Sequence, residues 1–85
     1  MKTGYFSASE LGKAFRDNRK ALRKTQEQLA KRVGCRRQTI ADIEAGRNVE
    51  IYTLFAALSA LGKGIDIVDT RIDLDRISEM FNDNQ

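Results

Sequence analysis

The stretch Thr25–Gly46, TQEQLAKRVGCRRQTIADIEAG, decides how the rest of the chain is read. Thr25 is a natural N-cap, because its hydroxyl can accept one of the amide hydrogens left unpaired at a helix start. QEQLAKRV then sets Leu29, Ala30 and Val33 on one face, and Gly34 stops the helix after barely two turns. Beyond Gly34 and Cys35, Ile40 and Ile43 recur at helical spacing up to Gly46, so a second short helix follows a tight turn. Arg36, Arg37, Gln38 and Thr39 stand at the start of that helix, ahead of its apolar residues. They are either the wet face of a small helix or an edge that contacts a ligand.

Outward from this pair, Ser7 and Glu10 have the S-x-x-E spacing of a capping box, which predicts a helix start. Leu11, Ala14, Phe15 and Leu22 follow as its apolar stripe, with Lys13, Arg16, Lys20, Arg23 and Lys24 largely outside it. On the other side RNVE reads as a polar connector. IYTLFAALSAL predicts a fourth helix that buries Ile51, Leu54, Phe55, Leu58 and Leu61 and ends at Gly62 and Gly64. Ile65 and Ile67 flank Asp66 in the alternation of a short strand. A lone strand needs a partner, and antiparallel pairing with a second copy would supply one. Leu74, Ile77 and Phe81 return to helical spacing, which suggests a short terminal helix.

At 85 residues the chain suits one small domain, and its 41% hydrophobic content can form a core that is marginal alone. One cysteine and no histidine exclude an intrachain disulfide and any plausible zinc site, leaving dimerisation as the expected extra support. No run approaches a membrane span and the start has no signal-peptide segment, so a cytoplasmic protein without a membrane role is expected. The net charge of +3 conceals +6 over residues 1–50 and −3 over residues 51–85. A basic half suits a polyanion, which the acidic half would repel. The sequence LGKG lacks the frame of a phosphate loop, and nothing supports catalysis, a cofactor or a small-molecule substrate.

Two helices across a glycine turn, the second with a polar basic start, form a helix-turn-helix. In that motif the second helix enters the DNA major groove while the first crosses the backbone. An arginine can bond guanine O6 and N7, and a glutamine adenine N6 and N7, each pair discriminating by about 1–3 kcal/mol. Arg36 and Arg37 suit phosphate as well as bases. Gln38 is the firmer base reader, Thr39 suits a thymine methyl, a phosphate or packing, and Asp42 reads as solvated surface. Cys35 reads as a small buried hydrophobe.

From about Leu11 to Leu61 the sequence resembles the Cro/C1 (Xre) type of helix-turn-helix repressor, with Thr25, Gln26, Ala30, Gly34, Ile40 and Glu44 at matching positions. The resemblance implies an all-α, lambda-repressor-like domain of four to five helices with a short C-terminal dimerisation strand and a terminal helix. Residues 7–61 would be the DNA-binding domain, and residues 62–85 would serve dimerisation through Ile65 and Ile67 and contact with a partner. It also implies base contacts from Arg36, Arg37 and Gln38, to which Thr39 is added as a candidate from its place at the same helix start. Phosphate contacts would come from Thr25, Gln26, Arg47 and Asn48, with added charge from Lys24, and Arg19 and Glu44 would form a structural ion pair.

The continuation LGKGIDIV is similar to the strand of HipB-type antitoxins. That likeness implies a homodimer on a palindromic double-stranded operator, autorepression of a toxin–antitoxin operon and a HipA-like kinase toxin as partner. Two alternatives stay open: a toxin-neutralising interaction module whose helix-turn-helix is mainly a scaffold, and a phage-type repressor with no toxin.

Overall fold

The computed structural model describes residues 4–69, which form four helices: α1 over Ala8–Ala21, α2 over Gln26–Val33, α3 over Arg37–Glu44 and α4 over Ile51–Ala60. No strand occurs among the described residues, and the expected terminal helix lies outside them. The all-α helix-turn-helix class expected from the sequence is the one observed.

Helix starts follow the side chains available. Ser7 Oγ accepts the Glu10 amide hydrogen at 3.0 Å. The reciprocal half of the expected box is shifted, because the Glu10 carboxylate accepts from the Phe6 N–H at 2.7 Å. The complete capping box belongs to α2. There Thr25 Oγ1 accepts from the Gln28 N–H at 3.0 Å and Gln28 Oε1 accepts from the Thr25 N–H at 2.9 Å. Helix α2 ends at Gly34, whose φ of 85° is left-handed and cheap only for a residue without Cβ. After α1 the left-handed residue comes one place later, at Arg23 beyond the Leu22 C-cap, with φ 57°, the single non-glycine with positive φ among the described residues.

The core joins α1, α2, α3 and α4 through Phe15, Leu29, Ala30, Ile40, Ile43, Ala57, Leu58 and Leu61. Phe15, Leu29 and Ile40 are almost completely enclosed, each contributing roughly 1.5–3 kcal/mol of burial. Helices α1 and α3 touch at Gly12, where a Cβ would lie 2.4 Å from the Ile43 carbonyl oxygen.

Three apolar assignments need correction. Leu22, Ile51 and Phe55 are exposed, and the inward face of α4 is Leu54, Ala57, Leu58 and Leu61. The helix is turned so that small Ala57 meets the core. Ile51 and Phe55, with Tyr52 at 85% exposure, are therefore left on the outside. Ile65 and Ile67 are also exposed, Ile67 at 95%, in a segment that is neither helix nor strand within one copy of the chain.

Candidate nucleic-acid interface

The first turn of α3 presents Arg36, Arg37 and Gln38 to solvent, with Thr39 half-buried beside them. Ile40 and Ile43 anchor the opposite side of this two-turn helix in the core, so its polar start is held outward by packing. Arg36 is the N-cap residue and makes no side-chain cap bond. Its guanidinium has no partner among the described residues. Arg37 and Gln38 are each tied down.

Arg37 belongs to a hydrogen-bonded chain that crosses three helices. Its Nη1 donates to Gln26 Oε1 at 2.9 Å, and Gln26 Nε2 donates to Glu44 Oε1 at 3.1 Å. Glu44 in turn accepts from Arg19 Nε at 2.6 Å and Nη2 at 3.1 Å, while Arg19 Nη1 donates to the Lys24 carbonyl at 2.7 Å. Arg19 is the one buried charged residue among the described residues, at 8% exposure. Its fork and the carboxylate satisfy each other as a buried pair requires. The chemistry fixes the Gln26 amide, since a carboxylate only accepts and a guanidinium only donates. Nε2 keeps a second hydrogen for a further acceptor.

Gln38 is tied to a different carboxylate. Gln38 Nε2 donates to Asp42 Oδ1 at 2.9 Å, and Arg47 Nη1 donates to the same oxygen at 3.1 Å. The Arg47 backbone N–H also bonds the Asp42 carbonyl at 2.8 Å. Hydrogen bonds from Gln38 and Arg47 together hold the Asp42 carboxyl below its ordinary pKa. Asp42 is thus a surface carboxylate, as the sequence suggests, but one with two side-chain partners.

The remaining expected contacts are placed as follows. Thr25 is exposed at the start of α2, its hydroxyl oxygen engaged in the cap but its proton free to be donated. Asn48 is exposed beside Arg47. Lys24 gives its carbonyl to Arg19 and lines a hollow with Leu22, Gln28, Leu29, Arg32 and Ala60, apart from the Arg37–Gln26–Glu44 chain. Cys35 is half-buried against the core, and burial pushes its thiol pKa up. The sequence signal for Asp42 was its i+4 spacing from Gln38. No comparable signal linked Gln26 to Arg37.

A two-turn helix with an exposed basic start, packed across a short preceding helix, defines a helix-turn-helix of the DNA-binding regulator class. The helix-turn-helix family pattern matches residues 15–68, so the chain belongs to the Xre-type helix-turn-helix family.

Among solved structures, the chain is similar to HipB in a HipA–HipB–O2–O3 complex, with 28% identity and a TM-score of 0.74 over 82% of this chain and 100% of that one. HipB in a HipB–O4 20mer complex gives 27% identity and a TM-score of 0.74, again over 82% and 100%. The restriction-modification controller protein C.AhdI from Aeromonas hydrophila gives 29% identity and a TM-score of 0.62, over 67% and 88%. No curated protein matches the sequence.

Proposed function

We propose that this protein is a sequence-specific transcriptional repressor that binds a palindromic operator as a homodimer. The observation that carries this reading is the bracing of Arg37 through Gln26 to Glu44. A long side chain merely solvating a surface gains only a little stability from such a chain. One that must meet a base edge gains from being aimed in advance, because less freedom is lost on binding. Arg37 and Gln38 read bases, joined by Thr39. Unbraced Arg36 adapts to a base or a phosphate. Thr25, Gln26, Arg47 and Asn48 hold phosphates, and Lys24 adds charge. Ile65 and Ile67, exposed in one copy, pair with their equivalents in the second, making residues 62–85 the dimerisation and partner-binding part and residues 7–61 the DNA-binding part.

Binding to the DNA upstream of its own gene should weaken steeply between 50 and 200 mM salt, as expected for six or more neutralised phosphates. A flat response would overturn the reading.

We further propose that the protein is the antitoxin of a HipBA-like operon. The support is its likeness to HipB solved together with HipA, along the full length of that HipB chain. Co-purification with the product of the adjacent gene tests this. A neighbour that is not a kinase and does not bind would leave a phage-type repressor. Arg37→Ala with Gln38→Ala should abolish operator binding and leave partner binding intact. Operator binding that survives unchanged would mean that these two residues are not the base readers, and a wild type that binds a partner but no DNA would make the helix-turn-helix a scaffold for interaction.

A further inference from the structure

Asp42 presents a carboxylate on the helix that is proposed to face the most negative surface in the cell. Unless it contributes something, it weakens binding. Its bonds indicate the contribution: one oxygen, Oδ1, accepts from both Gln38 and Arg47, and the backbone of Arg47 is fastened to the Asp42 carbonyl as well. The side chain is only 27% exposed, against 66% for Arg47. An isolated exposed ion pair of this kind would be worth little. Here the carboxylate sits between a side chain at the start of α3 and one in the loop just beyond its end, and holds both by one atom.

Resting on the DNA-binding reading above, we propose that Asp42 is a positioning residue that couples the phosphate clamp at Arg47 to the base reader Gln38. Asp42 is an acceptor only, so it takes one amide hydrogen of Gln38 and fixes which end of the amide is which. Gln38 Oε1 and the second Nε2 hydrogen remain for a base edge, in one orientation instead of two. Arg47 offsets the carboxylate's charge. When it engages a phosphate, the same contact sets the height of Asp42, and hence of Gln38, over the groove. Asp42 thus touches no base itself and acts through Gln38.

The experiment compares base preferences, position by position, for the full-length wild type and the variants Gln38→Ala, Asp42→Ala and Asp42→Asn. The probes are duplexes selected by the wild type from a randomised pool, with a random-sequence duplex as control and thermal melting to verify the fold. Gln38→Ala should relax one position in each half-site. Asp42→Ala should relax the same position, with a fall in discrimination of about fivefold or more. Its affinity for the random duplex should hold or rise, since a negative charge has been removed. Asp42→Asn, which keeps an acceptor for Gln38 but loses the charge for Arg47, should fall between.

Unchanged preferences in Asp42→Ala would overturn the proposal, and so would relaxation at a different position, which would mean that Asp42 reads a base directly. A wild type that selects no sequence from the pool overturns the proposed function and this inference with it. A wild type that selects normally confines any failure to Asp42.

Discussion

Arg37 donates to the side-chain oxygen of Gln26 at 2.9 Å, linking the first residue of α3 to the first residue of α2. The amide of Gln26 is bonded at both ends, so its removal frees Arg37 and strips one donor from Glu44. Gln26→Ala should cost about 1–3 kcal/mol of stability, since it removes two hydrogen bonds to charged groups, one of them exposed. Its larger effect should be on sequence discrimination, measured as the ratio of affinities for a selected and a random duplex. An equal loss on both duplexes would assign Gln26 to phosphate contact alone.

Glu44→Ala should be far more damaging. It leaves the Arg19 guanidinium buried with only the Lys24 carbonyl as partner, and losing one side of a buried pair costs about 3–5 kcal/mol. Native proteins have about 5–15 kcal/mol in total, so urea unfolding should show a large fraction of the stability gone. A change under 1 kcal/mol would show that solvent reaches Arg19 readily.

Gly12→Ala sets helix propensity against packing. Alanine is the better helix residue by roughly 0.5–1 kcal/mol. Its Cβ, however, would stand 2.4 Å from the Ile43 carbonyl oxygen and 2.7 Å from that of Glu44, so α1 and α3 must separate. We expect net destabilisation of about 1–3 kcal/mol by urea titration, with loss of DNA binding as α3 shifts.

Arg23→Gly should do the opposite. At φ 57° the arginine pays the left-handed penalty that glycine escapes, partly offset by the greater freedom of glycine in the unfolded chain. A gain of up to about 1 kcal/mol should appear as a higher urea midpoint with unchanged slope.

The Asp42 carboxyl also gives stability a pH dependence with a defined sign. Its folded pKa lies below the ordinary 3.8, so the folded state favours the ionised form. The contribution is complete above that ordinary value and is lost as pH falls through the folded pKa. The difference in urea midpoint between wild type and Asp42→Asn should therefore narrow as pH drops below about 3.8. A gap that persists to the lowest pH would attribute the difference to shape instead of charge.

How far the sequence could be read depended on whether a feature was local. Thr25 before α2, Gly34 after it, and Ile40 and Ile43 inside α3 each follow from neighbours within a turn or two, and the helices appear where these residues place them. Phe55 and Ile51 turn outward where the spacing places them inward, because apolar spacing marks a stripe without saying which edge of it meets the core, and small Ala57 occupies that contact. Gly12 gave no sign, since a close approach depends on a helix more than two dozen residues away. The site divides the same way. The exposed residues at the start of α3 were visible in the pattern. The links from Gln26 to Arg37 and from Arg47 to Asp42 depend on the folded path of the chain.

Those two links also bear on transplantation. The side chains that carry the proposed specificity are aimed from outside their own four-residue run, by Gln26 and Glu44 on one side and by Asp42 and Arg47 on the other. Moving Arg36–Thr39 alone onto another helix-turn-helix would transfer the letters without the grammar. The smallest portable cassette runs from Gln26 to Arg47, and its host must also supply an arginine where Arg19 stands.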